Sequence, residues 1–351
     1  MQNGPYSCEI LNAMFRNICV FLFAVVVTVA RAQAKEKVSL AELPKHAIEQ
    51  SQLTLPGSQP FHLKAKVFES SDRENDSHNA EIEEHWVAPG KWRRTIKTAD
   101  FSEVLIVNGA TTAERITGDY YPNWLRTIVN GIFDPGARLQ NVNMSASSDN
   151  PMIGGEQVCR RFMFLASNPP VTNKVFSTYC FQDDLIASIG VPGYEISYAD
   201  YKKFGEKQVA RKLGEYIESG TELRADIYVL EALQAPDDSL FKSDQPSIAP
   251  LRTILISEAT LRGLAVSAPD MHWPTLTSGR NPGTLSIYVC IDRQGHVRET
   301  LPLNSDNPIM TAAAREQVLN WQFKPAINQG EPVQVESILT FAYDTKIVPA
   351  K

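Results

Sequence analysis

Apolar residues along the chain fall into two periods, which predict two kinds of element. After Pro60, Phe61, Leu63, Ala65 and Val67 alternate with His62, Lys64 and Lys66, the period of a strand with one buried face. Ile82 and Trp86 share one face of the next strand, Ala88-Pro89-Gly90 turns it, and Trp92, Arg94 and Ile96 alternate in a third. Asn108-Gly109, between FSEVLIV and TTAERIT, is a hairpin signal. Alternation then stops in YYPNWLRTIVNGIFDP, where Trp124, Leu125, Ile128, Val129 and Phe133 predict a helix over 123–133. Strands resume around Cys159 and Cys180 and in YEISY, QVARKLGEYI and LRADIYVL. Leu40, Leu43, Ala47 and Ile48 lie near helical spacing and predict a short leading helix within 37–54. Residues 35–233 therefore read as one antiparallel sheet of many strands with few helices.

The run QAPDDSLFKSDQPSIAP is polar, aperiodic and carries three prolines, so 234–251 is expected to link two domains. Beyond it, Leu285, Ile287, Val289 and Ile291 alternate with polar residues, Asp292 to Gly295 turns the chain, and HVRETLPL returns. Asn307 and Pro308 are an N-cap and first-turn pair, after which Met310, Ala314, Val318 and Trp321 follow helical spacing. Val333, Val335, Leu339 and Phe341 then share one face of a last strand. The order strand, strand, helix, strand makes 252–347 a small ββαβ domain, and the whole chain α+β.

Composition narrows the class. The chain has 351 residues, 43% of them hydrophobic, enough to bury a core, and its formal charge of −6 disfavours nucleic acid and anionic membrane surfaces as partners. At the N-terminus, Ile18 to Ala30 is an uncharged apolar run preceded by Arg16 and followed by two overlapping A-x-A sites ending at Ala32 and Ala34. A membrane-spanning helix needs about 20 apolar residues. Residues 1–34 are accordingly expected to be a cleavable signal peptide that exports the chain to the periplasm, with an uncleaved inner-membrane anchor as the alternative.

Export would leave Cys159, Cys180 and Cys290 in an oxidising compartment. The segment CRRFMFLASNPPVTNKVFSTYC has its midpoint between Pro169 and Pro170, and a hairpin turning there sets Cys159 opposite Cys180, the geometry a disulfide closes. Cys290 reads as a small apolar strand residue.

Chemistry is sparse. The sequence has no G-x-S-x-G elbow, HExxH helix, Walker loop or CxxC pair, so no enzyme, catalytic residue or cofactor is expected. Glu83, Glu84 and His85 beside His78 offer metal-ligating types, but alternation splits Glu84 from the other two, and the group reads as a solvated strand face with no metal. Asp237, Asp238 and Asp244 fall in the linker and read as solvated. Asn75 and Asn143 begin N-x-S matches, short enough to arise by chance.

At the C-terminal unit, GTLSIYVCIDRQGHV and AAAREQVLNWQFKPAINQGEPVQVESILTF resemble the TonB C-terminal domain family over about residues 252–345. Asp292, Gly295, Ala313, Ala314, Val318, Trp321, Phe323, Pro325, Ala326, Gly330, Pro332 and Val333 carry the resemblance, and Trp273-Pro274 stands where the family commonly has Tyr-Pro. The resemblance implies docking by strand addition, with the last strand's Val333, Gln334, Val335, Glu336, Ser337, Ile338, Leu339, Thr340 and Phe341 as the edge for an envelope or outer-membrane protein segment. Gln334, Glu336 and Thr340 would keep one of its faces polar, and a self-paired homodimer is the alternative. Residues 35–233 more faintly resemble LolA-like periplasmic carriers in the leading helix, PFHLKAKV, VAPGKW, Val-Asn-Gly and Tyr-Tyr-Pro. That likeness implies a half-barrel able to take an acyl chain or lipoprotein, and makes a soluble lipid or lipoprotein carrier the second functional reading.

N-terminal sequencing of the exported protein should begin at Gln33 or Lys35; an intact apolar run in membrane-bound mature protein would refute cleavage.

Overall fold

The first sheet is built from neighbours in sequence. The computed structural model describes residues 39, 42–70, 78–136, 152–154, 157–164, 175–191, 194–217, 222–243, 253–279, 281–328 and 330–348. The expected signal peptide, Asn75, Asn143, Asp244 and the Pro169-Pro170 turn lie outside these. Helix α1 (Leu43–Ser51) leads into β1 (Phe61–Glu69), β2 (Ala80–Ala88), β3 (Lys91–Lys97), β4 (Ser102–Asn108) and β5 (Thr111–Thr117). After helix α2 (Asn123–Phe133) come β6 (Met152–Gly154), β7 (Gln157–Phe164), β8 (Val175–Gln182), β9 (Leu185–Val191), β10 (Tyr194–Phe204), β11 (Lys207–Ile217) and β12 (Glu222–Ala232). Each strand pairs antiparallel with the next in sequence except β5 with β6, which are the two edges, and β12 closes back on β1, giving the order β5-β4-β3-β2-β1-β12-β11-β10-β9-β8-β7-β6.

One face of this sheet is apolar. Phe61, Leu63, Ala65 and Val67 of β1, Ile82 and Trp86 of β2, and Leu223, Ala225 and Ile227 of β12 form a core with α2. The helix is buried nearly all round: Trp124, Leu125, Thr127, Ile128, Val129, Ile132 and Phe133 are all buried. It lies close against the strands at Gly131, where a β-carbon would sit 3.1 Å from Leu213 Cδ2 and 3.2 Å from the Tyr198 hydroxyl. A charged pair enters this core. Glu84, fully buried, accepts from Arg94 Nε at 2.5 Å, and the Arg94 guanidinium lies 4.1 Å above the Phe133 ring of α2.

The segment after β12 is only partly a spacer. A 3₁₀ turn, Asp238–Phe241, docks on β3 and β4 through Lys91 Nζ to Asp238 Oδ1 at 2.6 Å and Asn108 Nδ2 to the Phe241 carbonyl at 3.3 Å. Asp237 caps this turn on the Ser239 N–H, so Asp237 and Asp238 have structural partners rather than simple solvation.

The second sheet holds the ββαβ order expected. It comprises β13 (Thr253–Leu255), β15 (Gly283–Ile291), β16 (Val297–Ser305) and β19 (Glu331–Tyr343) in the order β13-β19-β15-β16, with β18 (Ala326–Asn328) paired to the start of β19. Helix α3 (Glu258–Gly263) follows β13, and β14 (Ala265–Ser267) pairs with β17 (Gln322–Phe323). Helix α4 (Pro308–Val318) is capped by the Asn307 side chain on Ile309 N and packs Met310, Ala314 and Val318 against Leu285, Ile287, Val289 and Leu339. Gly295 has φ +90° in the β15–β16 turn, and a β-carbon there would meet the Phe323 carbonyl oxygen at 1.9 Å.

Cys159 and Cys180 face each other in the β7–β8 ladder and are joined as a disulfide, and Cys290 is buried. Peptide mapping without reductant should recover the Cys159–Cys180 crosslink with Cys290 protected until denaturation. Reduction should cost stability of up to about 3 kcal/mol by the loop-entropy estimate; two free thiols at the pair would refute the bridge.

Candidate functional site

Where the two sheets meet, polar side chains of the second are spent on the N-terminal end of α2. Tyr288 and Leu301 join the core of the first sheet, so the second sheet buries its own helix-facing side against α4 and this opposite side against α2. Residues 44–351 form one compact unit. Pro122 begins α2 and offers no capping side chain; instead Glu299 of β16 accepts from Asn123 N at 2.9 Å and from the Tyr120 hydroxyl at 2.7 Å. A carboxylate is thus placed on the free N–H groups of a helix start, where the macrodipole favours it. Gln334 of β19 completes both backbone groups of Tyr121, accepting from its N–H at 2.9 Å and donating to its carbonyl at 3.1 Å. Glu336, two residues on, holds Arg126 of α2 and accepts from the Tyr288 hydroxyl. Burial lowers the Arg126 guanidinium, but Glu336 and its other neighbours more than offset this and hold it above its ordinary value. Burial also pushes the Tyr120 and Tyr288 hydroxyls and the Cys290 thiol well up, so they stay protonated and the thiol is not poised to react.

This seam corrects the reading of the last strand. Gln334 and Glu336 do not present a polar face to water: Gln334 is fully buried, and both side chains are committed to α2. Nor is Val333 to Phe341 a free edge. Gln334, Val335 and Glu336 pair with Thr253, Ile254 and Leu255 of β13, in parallel, on the side of β19 away from β15. The Ile256 N–H then donates to the Glu336 carbonyl, and the Ser337 hydroxyl donates to the Ile256 carbonyl. Glu258 of α3 accepts from Thr340 N, and Arg262 donates to the Thr340 carbonyl. Val333 pairs with Ala326 of β18, while Leu339 and Phe341 point into the α4 core with Val335. Ile338 pairs with Tyr288 of β15.

The long outer strand of this sheet is β16 instead, and it is blunted. Pro302 lies within it, and Arg315 of α4 donates to the Thr300 carbonyl. Sequence order could not reveal this, because the occupant of the β19 edge is a three-residue strand at the start of the expected 252–347 domain, too short to show a strand period.

The Asp292 to Gly295 turn is held by its own side chains. Buried Asp292 accepts from Gln294 N and His296 N, both at 2.9 Å, and receives Arg298 at 3.3 Å. Phe323 N then donates to the Gly295 carbonyl at 2.9 Å, tying this turn to the strand after α4.

Residues 277–345, which span this turn, α4 and β19, match a known family. It is the family described as Gram-negative bacterial TonB protein C-terminal. The match is narrower than the 252–345 expected and leaves β13 and α3, which cover the β19 edge, outside it. No curated protein matches the chain. Among solved structures, similarity is found to an outer-membrane lipoprotein-sorting protein domain from Vibrio parahaemolyticus, at 8% identity and TM-score 0.39 over 57% of this chain and 95% of that one. A LolA superfamily protein from Nitrosomonas europaea matches at 8% identity and TM-score 0.37 over 59% and 99%, and a DUF1329 family protein from Desulfovibrio piger at 8% and 0.35 over 57% and 95%. No helix among the described residues is long and apolar enough to cross a membrane.

Arg126→Ala should be among the most destabilising substitutions in the chain, about 3–5 kcal/mol in urea unfolding, because Glu336 is left buried without its cation. Gln334→Leu, which strands the Tyr121 N–H and carbonyl, should cost about 1–3 kcal/mol. Values within 0.5 kcal/mol of wild type for both would show that the seam does not hold the two sheets together.

Proposed function

We propose that the protein is a non-catalytic component of the Gram-negative cell envelope. Its C-terminal unit docks an extended segment of an envelope or outer-membrane protein by strand addition on the outer side of β19. The supporting observation is that this side of β19 already takes a strand, the chain's own Thr253–Leu255. That strand is a weak occupant: it has three residues, pairs in parallel, and leaves Leu255 45% exposed. A longer incoming strand would replace its bonds and extend the ladder toward Thr340 once Glu258 and Arg262 release it. The TonB-type segment, which includes β19, supports both the compartment and the mode. Docking is thus gated, and the affinity a partner experiences is reduced by the fraction of time β13 holds the edge.

The carrier reading has no comparable observation in its favour. Leu125, Ile128 and Ile132 of α2 pack in one core with the apolar residues of β1, β11 and β12.

An array of peptides tiled from outer-membrane proteins tests the proposal. The triple substitution Thr253→Gly, Ile254→Ser, Leu255→Gly should raise the affinity of any captured peptide about tenfold, by freeing the edge. Thr340→Pro should abolish capture while leaving the melting temperature within a few degrees, since it removes an outward N–H. Equal capture by wild type and both variants would overturn docking at this edge.

A further inference from the structure

The face of the first sheet opposite α2 carries a cluster that no local stretch of sequence contains. His62 of β1 stands directly across from His85 of β2, and Lys64 across from Glu83. On the other side of β1, His62 is paired with Glu231 of β12, and on the far side of β2, His85 is paired with Arg93 of β3. As alternation predicts, Glu84 points the other way, into the core beside Arg94, while His78 pairs with Glu69. The two imidazoles stack, with centroids 4.2 Å apart and planes 13° from parallel. Both turn Nε2 toward one oxygen: His62 Nε2 lies 2.8 Å and His85 Nε2 4.0 Å from Glu83 Oε1. One ligating atom from each of His62, Glu83 and His85 lies within 4.8 Å of the others, and all three residues are half-buried.

We propose that His62, Glu83 and His85 form a binding site for a divalent cation of the zinc and copper class, with Glu231 as the outer carboxylate that orients His62. The chemistry rests on His62, whose Nε2 faces Glu83 while its Nδ1 lies 3.1 Å from Glu231 Oε1. A neutral imidazole has one N–H, so between two carboxylates one nitrogen must present a lone pair to an oxygen. A metal ion held on Nε2 relieves that contact. With a metal, Nδ1–H donates to Glu231 while Nε2 and the Glu83 carboxylate both ligate, an arrangement in which a carboxylate fixes the tautomer of a metal-bound histidine.

Ligation needs the two stacked rings to turn about their side-chain torsions, so that both Nε2 lone pairs, which lie in the ring planes, aim at one ion. Tetrahedral ligands about 2.1 Å from an ion lie roughly 3.4 Å apart, so His85 and Glu83 must close by less than an ångström. Two imidazoles and one carboxylate suit zinc or copper better than magnesium or calcium. Lys64 is the competitor: its Nζ lies 3.1 Å from Glu83 Oε1, on a side chain 37% exposed and free to swing away. Water or a partner's side chain would complete the shell. The site stands independently of docking at β19.

The test is a Zn²⁺ titration of untagged, full-length exported protein against a chromophoric chelator, with Co²⁺ absorption reporting geometry and circular dichroism confirming the fold of each variant. One ion per chain is expected. His62→Ala and His85→Ala should each weaken it at least about tenfold, with Glu231→Gln producing a loss of about 10–100-fold through His62 alone. Lys64→Met should tighten binding, because the ammonium no longer competes for Glu83. Absence of stoichiometric Zn²⁺ binding, or affinity indifferent to His62→Ala and His85→Ala, overturns the site; failure of Lys64→Met to tighten it removes Glu83 from the ligand set.

Discussion

Helix α2 is buried on nearly every side, including Asn123 and Thr127 of its polar stripe, and a helix of that kind needs apolar cover and polar partners together. The twelve-stranded sheet covers one flank, with Gly131 letting the backbone come close, and the C-terminal sheet covers the other through Tyr288 and Leu301. Neither sheet alone can hide Trp124, Leu125, Ile128, Val129, Ile132 and Phe133. The architecture therefore depends on one shared helix, and each sheet's inner face is dictated by the need to meet it.

Apolar burial is non-directional and would tolerate several orientations of the second sheet on α2. The polar seam removes that freedom. Glu299 supplies the cap the helix lacks, Gln334 matches the two backbone groups of Tyr121, and Glu336 meets Arg126 at a single register of β19. Buried charge pairs contribute little net stability, but each is costly to break, and that asymmetry favours one arrangement over its neighbours. β19 consequently has a structural duty on its α2 side, and what remains for recognition is its outer backbone edge, occupied by β13 and latched by Glu258 and Arg262. The C-terminal sheet is thereby held in one orientation on α2. Its second edge, β16, is closed to pairing by Pro302 and by Arg315 on the Thr300 carbonyl.

Much of the fold was legible locally. Period two placed β1 to β3 and β15, the Asn108-Gly109 hairpin placed β4 and β5, the spacing of Trp124, Leu125, Ile128, Val129 and Phe133 placed α2 at 123–133, and Asn307-Pro308 placed the start of α4. The opposition of Cys159 and Cys180 followed from hairpin symmetry alone, since the ladder pairs residues equidistant from the turn. Likewise the Asp292, Gly295, Trp321 and Phe323 motif pointed to the TonB-type unit, because those residues close one turn and one helix end within a short stretch of chain.

What the sequence could not determine by itself were the pairings between distant segments. Gln334 and Glu336 read as a solvated polar face because alternation reports only that they share a side, not that α2, some two hundred residues earlier, lies against it. Thr253–Leu255 carries no strand period, and only β19 makes it a strand, by offering unpaired N–H and C=O groups. His62 joins Glu83 and His85 through the register of β1 on β2, which a shift of a single residue would undo by turning His62 to the opposite face. The period of a segment is set by its own side chains and can be read from them, whereas register and docking are set by shape and hydrogen-bond complementarity between segments that become neighbours only once the chain has folded.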